Sequence, residues 1–146
     1  KTATSHEEAV AQIHPWVKKK KRWAQYMMGQ HYRDGHGVKQ SHEMARRLFE
    51  LAAQQGEFTS MYHLGHMYRT GQGVEQSYER AIEYYEQAAD LGFAGAQYNL
   101  GIMYFKGLGI ERRDMVKAKK WFAKAAAQGD EDALKTLQQL DQAAKQ

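Results

Sequence analysis

Two histidines three residues apart are the side chains whose spacing comes nearest to metal chemistry. His63 and His66 fall on one side of a predicted helix, so both imidazoles could touch one metal ion. A protein metal site needs a fuller ligand set. No third ligand has matching spacing, although His31, His36 and His42 lie in the preceding segment. We therefore predict no metal site and no cofactor.

Three Gly-x-Gly segments raise the question of phosphate binding. They lie at positions 35–37, 71–73 and 107–109. A dinucleotide fingerprint requires a third glycine at a fixed spacing, and none of the three segments has one. Three copies at one period favour a structural turn, because stacked repeats need the same turn each time.

Nucleophilic and acid–base catalysis lack a complete set of residues. The serines occupy recurring positions, three before predicted helices and one in place of alanine: Ser5, Ser41, Ser77 and Ser60. Acidic pairs such as Glu83 and Glu86 lie on the polar face of a predicted helix, where solvation explains them. Without a nucleophile, a base and an orienting residue, we predict that the chain is not an enzyme.

The net charge of +4 is concentrated at the beginning of the chain. Residues 1–22 hold six Lys/Arg and two Asp/Glu, whereas residues 23–146 hold 15 of each kind. The basic run consists of Lys18, Lys19, Lys20, Lys21 and Arg22. Such a run could bind nucleic acid, anionic lipid or an import receptor, or be a solvated helix end. The neutral remainder lacks the basic footprint of a nucleic-acid-binding domain.

Length and composition predict one soluble domain over residues 1–146. No apolar run approaches the length of a transmembrane helix. The chain has no cysteine, which excludes disulfides and thiol chemistry. Residue 1 is a lysine, so we expect a piece of a larger protein. The compartment stays open, with the cytoplasm favoured.

A unit of 36 residues, present three times, positions the side chains considered above. The recurring residues include two sets of glycines and one of tyrosines: Gly29, Gly65 and Gly101; Gly35, Gly71 and Gly107; Tyr32, Tyr68 and Tyr104. A period of this length means that each unit must stack on its neighbours to bury its apolar face. We predict full repeats over 24–56, 60–92 and 96–129.

Each unit is predicted to be a helix, a glycine turn and a second helix. The mid-helix glycine of the first helix would let another helix approach closely. Ser41, Ser77 and Asp114 are predicted N-caps of the second helix, and the third linker is one residue longer. Residues 5–22 form a degenerate half repeat in which Pro15 should kink or end the helix. Residues 130–146 fit a polar C-terminal capping helix.

These residues identify a family resemblance. The pattern Ala-x-x-x-Leu-Gly-x-x-Tyr-x-x-Gly-x-Gly-Val, followed by Ala-x-x-Trp-Phe and Ala-Ala-x-x-Gly, resembles the Sel-one-like repeat (SLR) family. That family is akin to the 34-residue tetratricopeptide repeat. The resemblance implies an all-α, right-handed α/α solenoid of helix–turn–helix repeats with a concave face. Its members are mostly adaptors that assemble complexes. The match is weakest in the half repeat, at Pro15 and Lys20.

The resemblance also implies which residues line the concave groove. Carried over by register from tetratricopeptide solenoids, they are Tyr26, Tyr62, Tyr98, Gln30, His66, Ile102, Arg33, Arg69 and Phe105. Tyrosine and arginine are enriched at binding hot spots, and such a groove would suit a peptide with apolar and acidic residues. The alternative is that the tyrosines only pack between adjacent repeats.

Three hypotheses about function follow. The first is a non-catalytic scaffold that holds a protein or peptide segment in its concave groove. The second is electrostatic tethering to nucleic acid or an anionic membrane through residues 18–22, which salt would weaken steeply. The third is self-association through the ends of the solenoid, near Val10 and Ile13.

Overall fold

The computed structural model describes residues 5–146, which fold as eight α-helices without any strand. The all-α class predicted from the helical spacing and the glycine turns is therefore confirmed. The helices are α1 (Ser5–Lys18), α2 (Arg22–Asp34), α3 (His42–Gln54), α4 (Phe58–Thr70), α5 (Tyr78–Asp90), α6 (Ala94–Lys106), α7 (Met115–Ala127) and α8 (Glu131–Ala144). No helix among these residues is long and apolar enough to cross a membrane.

Six helix ends lie at the predicted residues. The side chains of Ser41, Ser77 and Asp114 accept hydrogen bonds from backbone amides in the first turns of α3, α5 and α7. These bonds satisfy amides that have no partner within the helix. At the other end, α2 stops at Gly35, which has the left-handed conformation at φ 70°. The same conformation ends α4 and α6 at their glycines.

Pro15 was predicted to kink or end its helix, and the predicted helix end is wrong. This proline lies inside α1, which continues to Lys18. Helical hydrogen bonding continues past the proline, because the carbonyl of Pro15 accepts a hydrogen bond from the amide of Lys19. The chain then turns at Lys20, the one non-glycine of positive φ (58°) among residues 5–146. Lys20 thus occupies the place where later repeats have glycine, at a cost in backbone strain.

The chain divides into two compact units, Lys1–Gln76 and Ser77–Gln146. In the first unit α2 packs on α1 and α3, and α3 packs on α4. Its core includes Ile13, Met28 and Leu48, with Val10 and Tyr32 packed at the edge. In the second unit α6 packs on α5 and α7, and α7 packs on α8. Here the fully buried side chains include Tyr85, Leu100 and Phe122.

The mid-helix glycines provide close helix contacts, as predicted. A Cβ atom at Gly29 would lie 2.7 Å from Cε1 of Phe49. At Gly101 it would lie 2.6 Å from Cε1 of Phe122. Both distances are far below ordinary carbon–carbon contact, so the phenyl ring occupies the space that a side chain would need. The glycine therefore permits the close packing of α2 on α3 and of α6 on α7.

Other residues of the protein fill the space beside the second glycine of each Gly-x-Gly turn. A Cβ atom at Gly37 would lie 2.5 Å from the backbone oxygen of His6, at the beginning of α1. A Cβ atom at Gly73 would approach Cβ of His42, and one at Gly109 would approach the backbone of Tyr78, at 2.6 Å and 2.7 Å. The second glycine of each turn thus packs against the first turn of a helix, where a phosphate would need open space. The interpretation as a structural turn agrees with this packing.

Candidate functional site

The nine predicted groove residues are all half-buried and lie on three helices. Six belong to the first unit and are called the α2–α4 patch here: Tyr26, Gln30 and Arg33 on α2, and Tyr62, His66 and Arg69 on α4. The other three belong to the second unit and lie on α6: Tyr98, Ile102 and Phe105.

His63 lies at the centre of the α2–α4 patch. Its ring stacks on Tyr26 with centroids 5.9 Å apart and on Phe49 with centroids 5.2 Å apart. Tyr62 meets the same imidazole edge-on at 5.7 Å. His63 therefore links α2, α3 and α4 through aromatic contacts. The spacing in the sequence indicated only a candidate metal ligand at this position, and the role of His63 in packing was missed.

Arg33 is paired within the chain. Its Nε and Nη2 atoms donate to the two carboxylate oxygens of Asp34, at 2.9 Å and 3.2 Å. Its Nη1 atom donates to Nδ1 of His63 at 3.1 Å. The guanidinium holds the pKa of Asp34 below its usual value, mainly through these hydrogen bonds. Arg33 is thus fixed in position, and its charge is partly offset by Asp34.

Arg69 has the equivalent position in the next repeat and also contacts a histidine. Its Nη2 atom lies 2.9 Å from Nδ1 of His66. A glutamine seven residues further on binds the backbone of each arginine. Gln40 donates to the carbonyl of Arg33 at 2.8 Å, and Gln76 donates to that of Arg69 at 2.6 Å. These bonds hold the last turns of α2 and α4 against the linkers that follow them.

The electrostatics keep both histidines of α4 neutral near pH 7. Burial, followed by the charge of Arg33, lowers the pKa of His63 to about 4. Burial and the charge of Arg69 lower the pKa of His66 as well. A neutral imidazole can accept a hydrogen bond from a guanidinium, which only donates. The positive charge of the patch therefore resides on its two arginines.

No group of three or more His, Asp or Glu side chains that could hold a metal ion is present among residues 5–146. His63 directs its ring against Tyr26 and Phe49, while His66 contacts Arg69. The two imidazoles at this spacing are thus engaged in separate contacts, and the arrangement offers aromatic and guanidinium surface for binding.

The second unit carries an aromatic counterpart on α6. Tyr98, Ile102 and Phe105 share one helix face because they are four and three residues apart. The ring of Tyr98 packs on Phe122 with centroids 5.7 Å apart, and the guanidinium of Arg113 lies 5.8 Å from the centroid of Phe105. This face is more apolar than the α2–α4 patch.

The basic segment 18–22 forms the turn between α1 and α2. Lys18 is the last residue of α1, Lys21 is the N-cap of α2, and Arg22 begins that helix. Arg22 donates to the carbonyl of Gln55 at 3.0 Å, and the amide group of Gln55 donates to the carbonyl of Lys20 at 3.0 Å. The end of α3 therefore holds this turn in place.

Comparison with known proteins identifies the repeat. The family model described as Sel1 repeat matches residues 24–57, 59–93 and 94–130. No curated protein matches the chain. A Sel1 repeat protein from Oxalobacter formigenes has 37% identity and a TM-score of 0.82, over 90% of this chain and 98% of that one.

Two further solved structures extend the comparison. The protective antigen c5321 of uropathogenic Escherichia coli, described as displaying an SLR fold, has 35% identity and a TM-score of 0.82, over 85% of this chain and 26% of that one. The cysteine-rich protein B of Helicobacter pylori shares the fold, with 21% identity and a TM-score of 0.73, over 93% of this chain and 100% of that one. The predicted α/α solenoid fold is confirmed by these structures, and the chain belongs to the Sel1 repeat family.

Proposed function

We propose that the chain is a non-catalytic scaffold that holds a protein or peptide segment against its tyrosine and arginine side chains. Sel1 repeat proteins are generally protein-interaction scaffolds, and family membership therefore supports an adaptor. The observation that carries the proposal for this chain is the α2–α4 patch, where half-buried tyrosines and arginines are held by neighbouring side chains.

Rigid positioning is the physical reason why this patch suits binding. Tyr26 packs on Phe49 and His63, and Arg33 is bound to His63 and Asp34. Side chains that are already ordered lose little conformational entropy when a partner binds. Tyrosine and arginine are also the residues that most often carry binding energy in protein interfaces.

The chemistry of the patch selects for an aromatic or apolar segment that bears a carboxylate. The tyrosine rings offer apolar area, and the arginines offer charge-assisted hydrogen bonds. At Arg33 the partner's carboxylate would compete with that of Asp34, which lies next to it in the chain and is exposed. This competition would favour a bidentate carboxylate over a single hydrogen-bond acceptor.

The experiment compares two variants of the chain. Proteins captured from a lysate by the wild type are identified, the strongest is purified, and its affinity is measured by calorimetry. The double variant Tyr62→Ala/Arg69→Ala should weaken this binding by at least about tenfold, as expected for hot-spot residues. The control Arg47→Ala changes an arginine of α3 whose ion pair with Glu43 is exposed, so it should have no effect.

Circular dichroism must show that both variants remain helical. Unchanged affinity in Tyr62→Ala/Arg69→Ala for every purified partner would contradict the assignment of the patch. An equal loss in Arg47→Ala would mean that the partner contacts a different surface of the first unit.

A further inference from the structure

The turn between α1 and α2 exposes two tryptophans side by side. Trp16 is 40% exposed and Trp23 is 45% exposed, and their ring centroids lie 5.9 Å apart. Tryptophan is highly buried on average in folded proteins because of its large apolar area. The packing of the first unit does not account for two neighbouring exposed indoles at one turn, which points to a role in binding.

The same turn carries the concentrated positive charge of the chain. Lys18, Lys19, Lys20 and Lys21 are exposed, and the ammonium of Lys19 lies 4.8 Å from the ring centroid of Trp16. Residues 23–146 are neutral in total. An anionic surface would therefore attract this turn, because its five basic residues are consecutive and no acidic residue interrupts them.

Apolar surface continues beside the lysines in a cleft of about 500 Å³. Val17 and Leu51 line the cleft together with Lys18 and Lys20. Leu51 is 46% exposed. The turn thus presents apolar side chains and ammonium groups together, which suits a partner that is itself apolar beneath an anionic surface.

We propose that residues 16–23, the tryptophan–lysine turn, bind the surface of an anionic phospholipid bilayer. Indole rings settle at the headgroup level of a membrane, where one part of the ring is in apolar surroundings and its N–H is hydrated. Lysine side chains extend from the same turn to lipid phosphates, and each contributes to attraction by acidic lipids. The contact is peripheral, since none of the described helices could cross the bilayer.

Single-stranded nucleic acid fits the turn less well. Base stacking needs an open aromatic face. Here the indole rings are inclined to each other by 47°, and Lys19 lies over the ring of Trp16. Residues 23–146 also hold equal numbers of basic and acidic residues and so lack the basic character of a nucleic-acid-binding domain. A bilayer needs neither an open ring face nor a groove.

The test is sedimentation with phospholipid vesicles. The wild-type chain should bind vesicles that contain phosphatidylserine, bind phosphatidylcholine vesicles weakly, and lose binding as salt is raised. Lys18→Glu/Lys19→Glu should lower the partition coefficient by at least about tenfold, given the energy that each lysine contributes. Trp16→Ala/Trp23→Ala should lower it by about fivefold or more through lost apolar contact.

The matched control lies on α7, where the ammonium of Lys124 is also 4.8 Å from a tryptophan ring, that of Trp121. Lys120→Glu/Lys124→Glu changes the net charge by the same amount as the charge reversal in the turn, and should leave vesicle binding unchanged. In a Trp121→Phe background, the remaining indoles should shift their emission to shorter wavelength on binding. If the tryptophan double variant does not fold, the lysine variant at exposed positions still decides the question.

Three results would overturn the proposal. The first is absence of wild-type binding to phosphatidylserine vesicles at low salt. The second is an equal loss of binding in the α7 control, which would indicate attraction by net charge alone. The third is tight binding of a labelled single-stranded oligonucleotide with no binding to vesicles, which would assign the turn to nucleic acid. The residues changed here lie outside the α2–α4 patch, so failure of either proposal leaves the other standing.

Discussion

Replacing Gly101 with alanine tests the close packing of α6 on α7. The added Cβ atom would lie 2.6 Å, 2.7 Å and 3.1 Å from three carbons of the Phe122 ring. Carbon atoms in ordinary contact are about 3.5–4.0 Å apart, so the ring would have to withdraw by about 1 Å. Phe122 is fully buried, and close-packed surroundings leave little space for that movement.

The expected change in the free energy of unfolding is the balance of two effects. Overpacking of a buried site typically costs about 1–3 kcal/mol, and a clash with a fully buried ring belongs in the upper part of that range. Alanine returns up to about 1 kcal/mol through its higher helix propensity. We therefore expect Gly101→Ala to lower the free energy of unfolding by about 1–2 kcal/mol.

Urea unfolding followed by circular dichroism and by tryptophan fluorescence measures this change. The double variant Gly101→Ala/Phe122→Leu should be more stable than the sum of the two single changes predicts, because the smaller side chain makes room for the methyl group. If Gly101→Ala is as stable as the wild type or more stable, the clash does not exist and the Phe122 ring does not need the space at residue 101.

Two further predictions concern single residues of the first unit. Because folding lowers the pKa of His63 from 6.5 to about 4, the neutral ring stabilises the fold fully above pH 6.5, and this contribution is lost as the pH falls toward 4. Urea titrations across this pH range should show that the wild type loses on the order of 2 kcal/mol of unfolding free energy that His63→Asn does not lose. Equal pH dependence of stability in both proteins would refute this role of His63. Lys20→Gly should raise the midpoint of thermal unfolding, by relief of about 1 kcal/mol of left-handed strain, and a lower midpoint would contradict the strain inferred at Lys20.

The repeat pattern predicted the local structure of the chain well. The recurrence of glycine, serine and aspartate at fixed positions predicted the N-caps Ser41 and Asp114 and the turn at Gly35, all of which the structure contains. Such features depend on residues close together in sequence. The close contact at Gly29 was also predicted, because a glycine that recurs inside a helix commonly marks a packing contact.

Contacts between repeats were harder to predict. The ring of His63 meets Tyr26, which is 37 residues away, and its imidazole accepts a hydrogen bond from Arg33. These contacts depend on how adjacent helices pack, which a period in the sequence does not define. The repeat register assigned Arg33 to a partner and gave no indication of its pairing with Asp34.

A recurring pair of glutamines shows that some of these contacts leave a signal in the sequence. Gln55 donates to the side chain of Gln25 at 2.7 Å, and Gln128 donates to that of Gln97 at 2.9 Å. In the middle repeat the corresponding positions both carry apolar residues, methionine at 61 and leucine at 91. Polar residues therefore occur at both positions or at neither, and this joint change could have predicted the contact from the sequence alone.

The longer third linker identifies a place where the chain can change its length without disturbing its helices. The amide of Ser41 binds the carbonyl of Tyr32 at 2.9 Å, and the amide of Asp114 binds that of Tyr104 at the same distance despite the extra residue. Glu111, which lies in this linker shortly before Asp114, is exposed. Insertions are tolerated where the backbone makes few contacts. This linker is therefore suited to accept a peptide tag or a fluorescent reporter, and evolution could lengthen it into a recognition loop while the repeats on either side keep their packing.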